Sequence, residues 1–253
     1  MSKTTLSSFG FTVGFTVLIF GYCAGIAACT KAGVTNTNSA VAATIAAPDT
    51  VKNAFTYLAL GDSYTIGQSV QPNERYPFLT VQELRSENVN IDGPQYIATT
   101  GWTTQDLENS IGTQKPSNNY DIVTLLIGVN DQYQHLDTAG YRKRFNDLLN
   151  KAVELAKNRY THVVVLSIPD YSATPFVDSA QKMTVRNEID VFNAINREIT
   201  MSKNVSYIDI TQLSREVSVD PSLLASDNLH YSAREYQKWA ELLVPVIKKA
   251  LDQ

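Results

Sequence analysis

Cysteine is scarce. Cys23 and Cys29 are the only two in 253 residues, so from residue 30 onward no thiol exists to build a disulfide framework or to serve as a nucleophile. Histidine is nearly as sparse: His135, His162 and His230 stand far apart, and no Cys or His pair has zinc-ligand spacing. A metal centre built on these side chains is not expected, and no cofactor is expected either. Basic charge is also in short supply, with 21 Lys and Arg against 25 Asp and Glu and a formal net charge of -4. No run of Lys and Arg is interleaved with aromatic residues, which argues against nucleic acid as a partner. No Gly-Lys-Ser or Gly-Lys-Thr follows an apolar run, so a phosphate-cradling P-loop is excluded. What the chain does have is apolar content, 43% of its residues, enough for a full hydrophobic core.

The longest uncharged stretch, Phe9 to Ala28 (FGFTVGFTVLIFGYCAGIAA), follows Lys3 and precedes Cys29. It is long enough to span a bilayer as a signal anchor. As a helix it is weakened by Gly10, Gly14, Gly21 and Gly25, each costing about 1 kcal/mol relative to alanine. The basic start, apolar middle and small residues at its end fit a secretory signal over residues 1–28 better. Ile26-Ala27-Ala28-Cys29 resembles the lipobox of bacterial lipoproteins, which implies a lipid on Cys29 and a membrane-anchored, exported protein of the bacterial cell envelope. From Cys29 to residue 54 the chain is rich in Ala, Thr, Asn and Ser without periodicity, and reads as a tether between an anchor and a folded domain over residues 55–253.

Within that domain short apolar runs alternate with longer amphipathic ones. Thr56 to Leu60, Gln95 to Thr99, Ile122 to Ile127, Val163 to Ile168 and Val205 to Ile210 read as strands, most of them apolar on both faces, as buried parallel strands are. Tyr76 to Asn88, Thr103 to Ile111, Ala139 to Asn158, Ser179 to Thr200 and Ser232 to Leu251 read as helices. In the third, Phe145, Leu148, Leu149, Ala152, Val153, Leu155 and Ala156 form an apolar stripe that belongs to a core. Ser232 and Glu235 have the spacing of a capping box opening the last helix. The pattern predicts a single α/β domain with a mostly parallel five-stranded sheet. Functional groups should then collect beyond the carboxyl ends of the strands.

They do collect there. The first strand is followed by Gly61-Asp62-Ser63, the second by Thr100-Gly101-Trp102-Thr103-Thr104, the third by Gly128-Val129-Asn130-Asp131 and the fourth by Pro169-Asp170-Tyr171. Asp227-Asn228-Leu229-His230 stands before the final helix. Gly-Asp-Ser and Asn-Asp are ordinary turn sequences when taken singly. The nucleophile elbow Gly-x-Ser-x-Gly is absent, because Thr65 stands where its second glycine belongs. In this order and at these places, Ser63, Gly101, Asn130 and His230 match the four blocks of the SGNH hydrolase superfamily, also called GDSL esterases and lipases. The chain resembles that family from about Tyr57 to its C-terminus. One departure is Tyr64, where the family more often has leucine; it leaves the serine in place and bears on the pocket wall.

The resemblance implies a three-layer α/β/α sandwich of flavodoxin-like topology and a serine hydrolase mechanism. His230 is expected as the base for the Ser63 hydroxyl, with Asp227 holding its other ring nitrogen. The oxyanion would be met by the backbone N–H of Ser63, the backbone N–H of Gly101 and the side-chain amide of Asn130. Ser63 is expected at a helix start, Asp62 as a turn stabiliser and Asp131 as a local hydrogen-bond partner; His135 and His162 are expected to be structural or solvated. Trp102, Val129, Tyr133, Tyr171 and Phe176, near the strand ends, are candidates for the substrate pocket, and residues 169–182 for a lid or a specificity loop. Trp102 suits a sugar ring and an acyl chain equally. The expected function is hydrolysis of small acyl esters, including acetyl groups on carbohydrate. A catalytically inactive glycan- or peptide-binding lipoprotein and a lipase or lysophospholipase are the alternatives.

Overall fold

A strand whose residues are all apolar needs cover above and below it, and in the Tyr57–Gly61 run every residue is buried. The computed structural model, which describes residues 53–252, gives that cover as a three-layer α/β/α sandwich. Strands β1 (Tyr57–Gly61), β2 (Gln95–Ala98), β3 (Ile122–Leu126), β4 (Val163–Leu166) and β5 (Ser206–Ile208) form one sheet in the order β2-β1-β3-β4-β5. All four pairings are parallel, with Leu58 opposite both Gln95 and Val123, and Val164 opposite Ser206. The expected apolar runs and the strands agree to within a residue or two at each end. The expected signal segment, the expected lipid site at Cys29 and the expected tether as far as residue 52 lie outside the described residues.

The helices are α1 (Ser63–Ile66), α2 (Tyr76–Ser86), α3 (Thr104–Gln114), α4 (Val129–Tyr133), α5 (Thr138–Leu155), α6 (Lys182–Ser202), α7 (Thr211–Ser214) and α8 (Ala233–Leu251). α2 packs on α8 against one face of the sheet, while α5 packs between α3 and α6 on the other. The last helix shows why: Tyr236, Trp239, Ala240, Leu243, Val244 and Ile247 are buried along one side of it, at the spacing of a core-facing stripe. Each large apolar side chain buried this way contributes about 1.5–3 kcal/mol.

Two local expectations need correction. Ser232 does sit at the N-cap of α8, but its side chain makes no cap hydrogen bond; its hydroxyl donates to the Ser222 carbonyl at 2.9 Å. Glu235 is drawn inward instead and accepts from the Trp239 indole at 2.9 Å, so tertiary burial wins over the local box. A capping box forms at α3, where Thr103 and Asp106 satisfy each other's backbone N–H groups. α5 ends at Leu155 rather than Asn158, because Lys157 and Asn158 adopt φ of +58° and +59°, outside the helical region.

Candidate active site

β1 is flanked by β2 on one side and β3 on the other, so the strand order reverses there and a crevice opens at its carboxyl end. Gly61 ends β1 where the backbone of β3 comes close: a Cβ at this position would lie 2.1 Å from Thr65 Oγ1 and 2.4 Å from the Leu126 carbonyl oxygen. Only glycine fits. Asp62 then caps α1, its Oδ1 accepting from the Tyr64 N–H at 3.0 Å, and Ser63 becomes the first residue of that four-residue helix. The N–H groups of a first helical turn have no partner inside the helix.

The loop before α8 explains the three-residue spacing of Asp227 and His230. Asp227 Oδ1 accepts from the backbone N–H groups of Leu229 at 3.0 Å and His230 at 2.9 Å, an Asx-type turn. Its Oδ2 is thereby presented to His230 Nδ1 at 2.7 Å. A carboxylate only accepts, so Nδ1 carries the hydrogen and Nε2 is left as the acceptor. The loop is pinned at its base by the Leu224–Tyr231 bridge and by the Ala225 N–H on the His230 carbonyl at 2.8 Å. Burial pushes the Asp227 carboxyl up, but hydrogen bonds from the Ser69 hydroxyl, the His230 ring and the two backbone N–H groups outweigh it and hold the group well below the usual carboxylate range. The Tyr64 ring meets the imidazole edge-on, with centroids 5.6 Å apart.

The remaining blocks come from two turns. Trp102 N–H closes a turn on the Thr99 carbonyl at 3.3 Å, with Gly101 at φ +86°, a conformation in which glycine meets no steric penalty. Among the described residues no partner takes the Gly101 N–H. Asn130, in the first turn of α4, donates from Nδ2 to the Trp102 carbonyl at 2.9 Å, which leaves the second N–H of that amide. Its neighbour Asp131 is fully buried and accepts from the Thr104 N–H at 2.8 Å, the Thr104 hydroxyl at 2.6 Å and Arg144 at 3.2 Å. These bonds lock α4 onto α3 and α5.

Ser63, Gly101, Asn130 and His230 line one cavity of about 180 Å³, together with Tyr64, Thr100, Val129, Tyr133, Tyr171, Phe176 and Leu229. Tyr133, Tyr171 and Phe176 touch ring to ring at 6.3–6.4 Å between centroids. Trp102 is outside that lining and reaches the site through its carbonyl. Among the described hydrogen bonds none joins Ser63 Oγ to His230, and such contacts often close only when substrate is bound. His162 is structural, its Nδ1 2.6 Å from the Asp121 carbonyl, and His135 is exposed. No group of three or more His, Cys, Asp or Glu is placed to hold a metal ion among the described residues. Leu229 and Thr100 carried a signal as neighbours of named blocks; Ser69, on Asp227, carried none.

Sheet order, switch point and these strand-end groups together define the class, an SGNH-type α/β/α hydrolase fold. The chain belongs to the GDSL-like lipase/acylhydrolase family, whose family model matches residues 59–238. Among solved structures it is similar to a lipase/acylhydrolase from Enterococcus faecalis, at 19% identity over 77% of this chain and 96% of that one, with a TM-score of 0.58. A psychrotrophic esterase from Pseudoalteromonas sp., inhibited by monoethylphosphonate, matches at 16% identity over 78% and 99% with a TM-score of 0.57. An acetylxylan esterase from Geobacillus stearothermophilus matches at 20% identity over 77% and 94% with a TM-score of 0.56. No curated protein matches.

Proposed function

We propose that the protein is an exported serine esterase that cleaves small acyl esters, acetyl groups on carbohydrate among them, and is held at the bacterial cell envelope by a lipid on Cys29. The observation that carries the reading is the convergence of Ser63, Gly101, Asn130 and His230 on one small cavity, with His230 Nδ1 hydrogen-bonded to Asp227. His230 Nε2 takes the Ser63 proton as Oγ attacks the ester carbonyl carbon, and Asp227 stabilises the imidazolium that forms. The carbonyl oxygen, now negative, accepts from the N–H groups of Ser63 and Gly101 and from the Asn130 amide. Collapse breaks the ester C–O bond, and the alcohol leaves with the proton held by His230. Water then attacks the acyl-serine by the same route and frees the acid.

A cavity of about 180 Å³ is below the usual 300–1,000 Å³ of drug-sized ligand sites, which favours a short acyl group. The acetylxylan esterase on the same fold lends support to acetylated carbohydrate as one substrate. Ser63→Ala should lower kcat on a chromogenic acetate ester by roughly 10⁶, since triad members act as a unit. A fluorophosphonate should label Ser63 covalently in the unaltered protein. Undiminished hydrolysis by Ser63→Ala would remove the serine mechanism, and an unlabelled protein that still binds acetylated glycan would be a binding protein.

A further inference from the structure

One short turn touches three of the blocks around the cavity. After α1 the chain passes through Gly67 to Val70, and the N–H of Gln68 donates to the Ser63 carbonyl at 2.9 Å. Gln68 Oε1 accepts from the Thr100 hydroxyl at 2.7 Å, next to Gly101. Ser69 then donates its hydroxyl to Asp227 Oδ2 at 2.5 Å, across 158 positions of sequence. Ser69 does so from a backbone φ of +67°, a region that residues bearing a Cβ seldom occupy. The oxygen it reaches is the one that also accepts from His230 Nδ1.

We propose that Gln68 and Ser69 form a positioning strap, in which Ser69 fixes the plane of the Asp227 carboxylate that orients His230, and Gln68 fixes the turn that carries the Gly101 N–H. The proposal rests on the roles read above for Ser63, Gly101, Asp227 and His230. The Asx turn holds Asp227 by Oδ1 alone, and the side chain is about one-third exposed; a second, charge-assisted bond on Oδ2 from a different segment stops the carboxylate from turning about its own axis. The same hydroxyl draws negative charge from Oδ2. Without it the carboxylate faces the imidazole undamped, favours the imidazolium more strongly, and lengthens the pH range in which the base is already protonated. The titratable groups facing this pair from other elements are Tyr64 of α1 and Tyr236 of α8. Burial pushes both phenols well above their ordinary range, so neither titrates in the interval of interest.

The test is kcat and KM on a chromogenic acetate ester from about pH 5 to about pH 9, across the range where imidazole titrates. It uses the full chain and the variants Ser69→Ala, Ser69→Gly, Gln68→Ala and Gln68→Glu, with thermal unfolding of each. Ser69→Ala and Ser69→Gly should both lower kcat about 3- to 30-fold with KM little changed, part of the worth of one charge-assisted hydrogen bond because the loss reaches the reaction only through Asp227 and His230, and should move the acidic limb of kcat/KM to higher pH. Glycine relieves the positive φ, so Ser69→Gly should unfold no earlier than Ser69→Ala while losing the same activity. Gln68→Ala should lower kcat a few-fold without moving the limb, and Gln68→Glu, which keeps an acceptor for Thr100, should recover most of it. An unshifted limb with unchanged kcat in both Ser69 variants overturns the strap, as does an activity loss in Ser69→Ala that Ser69→Gly restores along with stability. If Ser63→Ala is still active and Ser63 takes no fluorophosphonate, the underlying reading has failed instead.

Discussion

Asp62 shows how much one buried carboxyl can decide. It has no exposed surface, its Oδ1 is used by the Tyr64 N–H, and its Oδ2 has no hydrogen-bond partner among the described residues. Burial pushes its pKa from the ordinary 3.8 up to about 8, with the Tyr64 N–H opposing and the charge of Asp131 adding. At neutral pH the group is therefore mostly protonated and puts little negative charge beside Ser63, where an oxyanion would be repelled. The folded protein holds a proton here that the unfolded chain gives up near pH 3.8. The stability this group supplies is thus complete below that pH and is lost as pH rises through about 8. Asp62→Asn keeps the cap acceptor and has no proton to lose. Urea unfolding at stepped pH should show a flatter decline for it over that interval than for the parent chain. Asn130 is the other residue whose chemistry is separable: Asn130→Ala should lower kcat by about 10²–10³ with a small change in KM, as loss of one oxyanion donor does. Equal kcat in the two proteins would remove the amide from the oxyanion site.

At the scale of elements, the sequence carried the strands well and the shortest helices poorly. β1, β3 and β4 are apolar on both faces, and their burial leaves little choice of conformation. α1 and α4 have four and five residues, too few to show a 3.6-residue period, so only the turn residues before them hinted at a helix start. The capping box read at Ser232 failed because Glu235 is fully buried against Trp239, an outcome no local spacing reveals. α8 also runs through Pro245, on its exposed side. A proline inside a helix removes one backbone hydrogen bond and crowds the preceding turn, an effect partly offset by the stiffer unfolded chain. Pro245→Ala should raise the unfolding free energy by about 1–2 kcal/mol, measured by denaturant unfolding, with kcat unchanged. A drop in stability would show that the proline fits its place in α8 without strain.

For the whole molecule the informative object is the cavity, whose walls come from segments spread between Ser63 and His230. Its volume of about 180 Å³ predicts that kcat/KM falls at least about tenfold from acetate or butyrate to decanoate esters, since a long chain would have to leave part of its apolar surface in water. A panel of acyl esters read by release of one chromophore checks this, and a preference that climbs with chain length would point to lipid substrates.

What the sequence alone determined was local in origin: which runs must be buried, hence a parallel sheet with covered faces, and which polar groups follow each strand. Those features depend on side-chain polarity and period within a few residues. What only the tertiary structure decided was which of those groups meet. Trp102 contributes a carbonyl to Asn130 rather than a ring to the cavity, Tyr64 lies against His230, and a hydroxyl at position 69 reaches a carboxylate at position 227. Such meetings depend on the register and stacking of every layer between the two partners, which no pattern within either segment encodes.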